Sequence, residues 1–357
     1  METAYWVAVS RVPHIGPARI DRLVQRFGSL RIAWSAPPHE LRAVLDARPL
    51  AELLDARARV EPLREHERLR DKGIWAVHPG HPGYPRFLAE ISGRPSVLYL
   101  RGELTPADEA AVGIVGTRRS TPYGRQAAER IAGQLAEAGV TVISGLARGV
   151  DGVAHRAALD AGGRTIAVLG SGVDIIYPAE HRQLAERMLD SGAIVSEQPP
   201  GAKPDAQNFP ARNRIISGMS LGIVVIEAPM KSGALITASF AGDQGREVFV
   251  VPGNVFAPSS EGTNQLLRDG ARIVRDGKDV LEDLGLGSRP AAVDIQQAMI
   301  LSEREQRLRD AIRGEPRHID ELAEETGMPV AEVGALLFGM ELNGVVRNQG
   351  AQFYVLR

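Results

Sequence analysis

Between residues 110 and 284 or so, short apolar runs alternate with amphipathic helical stretches, and no other feature restricts the fold of this chain as tightly. The runs are Val112–Val115, Val140–Ile143, Ile166–Leu169, Ile194–Ser196, Ile223–Ile226, Val248–Val251 and Arg272–Val274. After Pro122, Ala128, Ile131, Leu135 and Ala138 recur at helical spacing, while Arg125, Glu129, Arg130 and Glu137 take other faces. Strands interleaved with helices predict a mostly parallel sheet with right-handed crossovers, a doubly wound α/β domain. In such a sheet ligands bind beyond the carboxyl ends of the strands, where loops enter helix N-termini.

At 357 residues the chain exceeds one ordinary core. Residues 1–70 read as short helices punctuated by Pro37–Pro38 and Pro49. Residues 71–105 form a bridge rich in Pro and Gly that ends in the apolar run Val97–Leu100, an extension of the α/β domain at 71–285. A linker at 286–300 follows. The last unit, 301–357, reads as helix (Ile319–Thr326), turn (Gly327), helix (Pro329–Asn343) and a hairpin from Val345–Arg347 and Gln352–Leu356, which is a winged-helix pattern. Its second helix has Glu332 and Glu341 and no Lys or Arg, and the unit holds seven arginines against ten acids. Phosphate repulsion disfavours duplex binding there, so a protein-contact role is expected.

Composition excludes more than it assigns. The 44% hydrophobic and 24% charged shares fit a globular chain. No apolar run approaches a membrane span, and Met1–Ser10 has no secretion signal. Cysteine is absent, which removes disulfides, thiol nucleophiles and thiolate zinc sites and fits the reducing cytoplasm. No metal-ligand spacing or cofactor fingerprint is present. The formal net charge is −2, yet all but four of the 42 basic residues are arginine. A GC-rich genome also produces that bias, so the placement of the arginines matters more than their number.

The strand-end loops carry that placement. Gly116-Thr117-Arg118-Arg119 joins a tight turn to two cations, and it is neither a P-loop nor a dinucleotide fingerprint. Ser144-Gly145-Leu146-Ala147-Arg148-Gly149-Val150-Asp151-Gly152 has three glycines that allow close backbone approach, with Asp151 expected as a helix cap and His155 as structural. Gly170-Ser171-Gly172 is half a dinucleotide fingerprint. Phe209 offers a flat face for a base, Arg212, Asn213 and Arg214 add donors, and Lys203 lies a few residues before them. Glu227 through Lys231 to Ala234 is a further strand end entering a helix. Cations and donors outnumber acids, and no paired carboxylates or Ser–His–Asp arrangement stands among them. The pattern is one for holding phosphates rather than cleaving them.

Gly116-Thr117-Arg118, Ser144 through Asp151, Pro210-Ala211-Arg212-Asn213-Arg214-Ile215-Ile216-Ser217-Gly218 and Val251-Pro252-Gly253-Asn254 resemble the hallmark blocks of the DNA-processing protein A (DprA/Smf) family over residues 71–284. The resemblance implies a Rossmann-like domain flanked by a sterile-alpha-motif-like helical domain and a winged-helix-like domain. It also implies a bacterial cytoplasmic homodimer without known catalysis. Such a protein binds single-stranded DNA, protects it and loads the recombinase RecA onto it in natural transformation, with contact to a single-strand-binding protein possible. By the match Arg118 lies in the family's basic pocket. Relatives often carry a lysine just ahead of the aromatic, where this chain has Ala206 with Lys203 earlier, and some carry a basic residue at the position of Ala179. Two rivals stand beside this expectation: a nucleotide-binding or nucleotide-hydrolysing Rossmann-like enzyme with Glu227 as its acid, and a scaffold without nucleic-acid affinity. Pro13 to Arg19 also resembles half of a helix-hairpin-helix turn, with Pro17 suited to a first helical position, although a plain helical spacer is the favoured reading of this segment.

Overall fold

The computed structural model describes residues 1–287, 302–312, 317–342, 346–348 and 352–356. Nine strands form one sheet: β1 (Trp75–Val77), β2 (Leu98–Gly102), β3 (Ala111–Val115), β4 (Thr141–Ser144), β5 (Thr165–Leu169), β6 (Ala193–Ser196), β7 (Gly222–Val225), β8 (Glu247–Val250) and β9 (Arg272–Ile273). Their order is β1-β2-β6-β5-β4-β3-β7-β8-β9. Strands β3 to β9 pair in parallel, and β1 and β2 add an antiparallel edge. The seven runs predicted from hydrophobic alternation are these seven parallel strands. Their near-continuous apolar character follows from burial on both faces, as in β3, where Val112 and Ile114 pack on one face and Ala111 and Val115 on the other. β1 has no counterpart among the predicted runs, because three residues bounded by His78 and Pro79 give no periodic signal.

Helices cover both faces. One face takes the helices Asn208–Gly218 and Gly233–Asp243, through Ile215, Ile216, Ala234 and Ala238. The other takes Pro122–Glu137, Val150–Asp160 and Gly277–Asp283. The helix Pro122–Glu137 shows how local sequence places these elements. Thr121 Oγ1 accepts from Gly124 N at 3.1 Å, Pro122 opens the first turn, Ala128, Ile131, Ala132 and Leu135 are buried, and Gly139 at φ 75° ends it.

The helices of residues 1–70 are not a separate body. Trp6, Leu23, Leu30 and Leu53 share one hydrophobic cluster with Tyr99 of β2, Leu169 of β5 and Ile194 of β6. The chain divides into two compact units, Met1–Ala292 and Val293–Arg357. The expected 70/71 boundary therefore falls inside a continuous core, and the linker drawn at 286–300 lies mostly outside the described residues. The turn predicted at Gly16-Pro17 does start a helix, Pro17–Phe27, with Pro17 at its first position.

In the second unit, helices Glu303–Ala311, Ile319–Thr326 and Val330–Leu342 stand with β10 (Arg317–His318), β11 (Val346–Asn348) and β12 (Phe353–Leu356), ordered β10-β12-β11. Gly327 at φ 69° closes the helix before the turn. Leu308, Ile312, Leu322, Leu337 and Met340 form its core. Helix, turn, helix and wing are as expected. Among the described residues no helix is long and apolar enough to cross a membrane.

Candidate nucleic-acid interface

Strand order reverses between β3 and β7, so the loops leaving their carboxyl ends diverge onto opposite faces and leave a crevice between them. A cleft of about 760 Å³ lies there. Its walls are Gly116–Arg119 after β3, Pro229 and Lys231–Ala234 after β7, and Phe209–Pro210 with Arg212–Asn213 at the start of a helix.

The floor is built by backbone contact that glycine makes possible. Thr117 N donates to Glu227 O at 2.8 Å, joining the β3 and β7 exits. Gly149, at φ 74°, lies so close that a Cβ would stand 2.4 Å from Thr117 O. The Ser144–Gly149 turn is thus pressed against the Thr117–Arg118 backbone and fixes where Arg118 begins. Three side chains hold that turn. Asp151 Oδ2 accepts from Gly145 N at 3.1 Å and Ala147 N at 3.2 Å. His181 Nδ1 lies 2.9 Å from Leu146 O, and Arg212 Nη1 donates to Gly145 O at 2.9 Å and also to Val168 O. Leu146 itself sits at φ 56°, a conformation leucine rarely adopts, which three-sided bracing sustains.

Asp151 consequently differs from its expected role. Gly149 occupies the N-cap position, without a side-chain bond, while Asp151 braces the preceding loop. Burial raises the Asp151 carboxyl pKa, against the pull of Arg212 and the two amides. Burial likewise pushes Arg212 down to about 10, which still leaves it charged at neutral pH. His155 is fully buried, its Nδ1 lies 2.6 Å from Thr165 Oγ1, and burial pushes it down to about 3, so it is neutral.

At the mouth, Arg118, Arg119 and Lys231 are exposed and join no ion pair among the described residues. Arg118 Cζ stands 5.7 Å from the Phe209 ring centroid, and Tyr177 approaches the same ring at 5.7 Å, tilted by 43°. Gly170 admits this cluster, since a Cβ there would meet Phe209 at 3.0 Å. Asn213 also borders the cleft, with Nδ2 donating to Gly233 O at 3.1 Å. Asp151 is the one acid among the lining residues, and its Oδ2 is committed to the Gly145 and Ala147 amides.

Other residues singled out from sequence lie elsewhere. Ser144 is fully buried, with Oγ donating to Ile114 O at 2.6 Å, and Gly145 lies beneath the cleft because the Arg212 guanidinium occupies the space a side chain would need. Arg148 pairs with Glu180 at 2.8 and 3.0 Å, outside the cleft. Arg214 pairs with Glu197 at 2.7 and 2.8 Å and donates to Gly93 O. Lys203 is exposed on the loop whose Pro204 and Ala206 line the cleft, without lining it itself. Of the seven cations read from the loops, three remain at the mouth, one is buried as a brace, two are held in ion pairs, and Lys203 is exposed without lining the cleft. Tyr177 is not singled out by the sequence, and its part in the aromatic cluster emerges only in three dimensions.

Residues 75–285 match the model of the DNA recombination-mediator protein A family, and residues 286–352 match that of the DprA winged helix domain. This chain belongs to the DNA recombination-mediator protein A family. Protein Smf of Synechocystis is 34% identical, with 100% of this chain and 99% of that one covered. The X-ray structure of DNA processing protein A from Streptococcus pneumoniae superposes with a TM-score of 0.71 at 31% identity, covering 79% of this chain and 98% of that one. The Helicobacter pylori protein, described for its single-stranded DNA binding mode, superposes with a TM-score of 0.53 at 30% identity, covering 59% and 95%. Family membership makes this a DNA-processing recombination mediator, and the Gly116, Ser144, Pro210 and Val251 blocks all fall inside the matched span.

Proposed function

We propose that the cleft grips single-stranded DNA and that the protein shields this strand and passes it to RecA in the cytoplasm, as a non-catalytic homodimer serving natural transformation. The observation carrying the reading is the Arg118–Phe209–Tyr177 cluster, an aromatic face beside a guanidinium that joins no ion pair among the described residues, at the switch point of the sheet. A base stacked on one aromatic ring contributes about 1–3 kcal/mol, and the adjacent cations hold its phosphates. A crevice between strand-end loops admits a flexible backbone and rejects a rigid duplex. Arg118, Arg119, Phe209, Asn213 and Lys231 are the proposed contacts, along with the Gly116–Thr117 backbone. Ser144, Gly145, Gly149 and Arg212 act by positioning them.

A nucleotide-hydrolysing reading needs a free acid. Glu227 is 2% exposed, and its two oxygens accept from Thr121 N at 2.9 Å and Thr121 Oγ1 at 2.6 Å, which leaves it poorly placed for that role. The deciding experiment is competition between single- and double-stranded oligonucleotides across a salt series, with base release from nucleotides assayed alongside. Selective single-strand binding without base release is expected, and equal affinity for duplex would overturn the reading.

A further inference from the structure

Beside the cleft lies a second recess of about 390 Å³, bounded chiefly by Tyr123, Pro252, Asn254, Ala257 and Ser259. The two hollows share a wall. Gly116–Arg119 lines the cleft while Thr121 and Tyr123 line the recess, and the β7 exit gives Pro229 to one and Glu227 to the other.

The chemistry of the recess is specific. Tyr123 is 50% exposed, and its hydroxyl donates to Pro252 O at 2.8 Å, which fixes the ring at the edge of the hollow. Asn254 Oδ1 accepts from Phe256 N at 2.9 Å, so its amide Nδ2 keeps hydrogen-bonding capacity, as does Ser259 Oγ; neither has a protein partner among the described residues. The one acid in the lining, Glu227, is consumed by Thr121. Neither Arg119, which lines the cleft, nor Arg125, whose Nη1 donates to Ser120 O at 2.7 Å, lines the recess itself, but both are exposed on the turn and helix start that bear Thr121 and Tyr123 and join no ion pair among the described residues. A tethered aromatic ring, an amide and a hydroxyl with hydrogen-bonding capacity left among the described residues, no unspent acid in the lining, and cations on the adjoining turn and helix suit a nucleobase and its phosphates. The volume falls at the low end of small-ligand pockets, about 300–1,000 Å³.

We infer that this recess is a second base-stacking site for the same single strand. A strand leaving the cleft past Arg119 lays a further base on Tyr123, with Asn254 and Ser259 at its edge and Arg119 and Arg125 at its phosphates. The inference rests on the single-strand reading of the cleft.

The test uses the full chain and oligothymidylates lengthened one nucleotide at a time, with wild type, Tyr123→Ala, Tyr123→Phe and Arg118→Ala compared by fluorescence anisotropy. Tyr123→Ala is expected to match wild type on the shortest bound oligomers and to lose about tenfold on longer ones, where the extra stack is made. Tyr123→Phe keeps the ring and is expected to keep most of that gain. An iodouracil stepped along the oligomer is expected to crosslink near Phe209 at one position and to Tyr123 at another. Tyr123→Ala equal to wild type at every length, with Arg118→Ala still weakened, overturns the second site alone and leaves the recess to a protein partner. Uniform loss at every length without a crosslink to Tyr123 also overturns it, because Tyr123 then only supports the turn. Failure of wild type to bind any oligomer overturns the cleft reading itself.

Discussion

Arg118 and Arg212 are both arginines on strand-end loops, yet tertiary context gives them opposite tasks. Arg118 is exposed and faces Phe209, so Arg118→Ala would remove a proposed phosphate contact. Single-strand affinity is expected to fall about tenfold, with the slope of log K against log salt shallower by about 0.7. Arg212 is 7% exposed and spans Gly145 and Val168, and a Cβ on Gly145 would stand 2.4–2.6 Å from its guanidinium. Gly145→Ala should therefore destabilise the fold by about 1–3 kcal/mol, read as a lower urea midpoint, because the guanidinium cannot retreat without losing its carbonyls. His155 supplies a pH signature. Its folded pKa of about 3 lies below the ordinary 6.5, so its contribution is complete above the ordinary value and drains away as pH falls toward the folded one. Below about pH 6 this group is expected to cost about 1.4 kcal/mol per pH unit. His155→Gln should flatten the acid limb of urea stability between about pH 6 and pH 4, and an unchanged limb would show that other groups govern acid unfolding.

At the scale of elements, the parallel strands were legible because burial on both faces writes itself as uninterrupted Val and Ile. The winged unit was legible because Gly327 marks a turn between two helical stretches. Ion pairing was not legible. Arg148 meets Glu180 and Arg214 meets Glu197 across separations of 32 and 17 residues, which no local pattern encodes. Tyr123 was invisible for the same reason, since its partner Pro252 lies 129 residues away. The packing of residues 1–70 was also hidden, because proline punctuation marks helix ends and says nothing of what a helix packs against. The winged unit carries the clearest prediction at this scale. Its helix Ile319–Thr326 presents Asp320, Glu321, Glu324 and Glu325, and Val330–Leu342 has no cation, so neither attracts phosphate. Removing residues 301–357 is expected to leave single-strand affinity within about twofold of the full chain in a gel-shift titration; collapse of binding in a truncated protein with an unchanged melting profile would place a DNA contact in that unit.

For the whole molecule, the net charge of −2 means that long-range attraction to DNA is weak, and the proposed binding would depend on the local excess of Arg118, Arg119 and Lys231 at one sheet end. Each phosphate neutralised on a single strand contributes about 0.7 to the salt slope, so an oligomer that fills one cleft should show a slope of about −2. The proposed homodimer would place two such clefts on one particle. If both engage one long strand, the slope should approach about −4, and affinity should rise far more than the added length alone explains, because the second cleft binds at high effective concentration. Sedimentation at micromolar protein should then show a dimer alone and a dimer carrying one strand. A monomer by sedimentation, or a slope that stays near −2 for long strands, would mean that each cleft works alone and that handing a strand onward does not involve bridging two protomers.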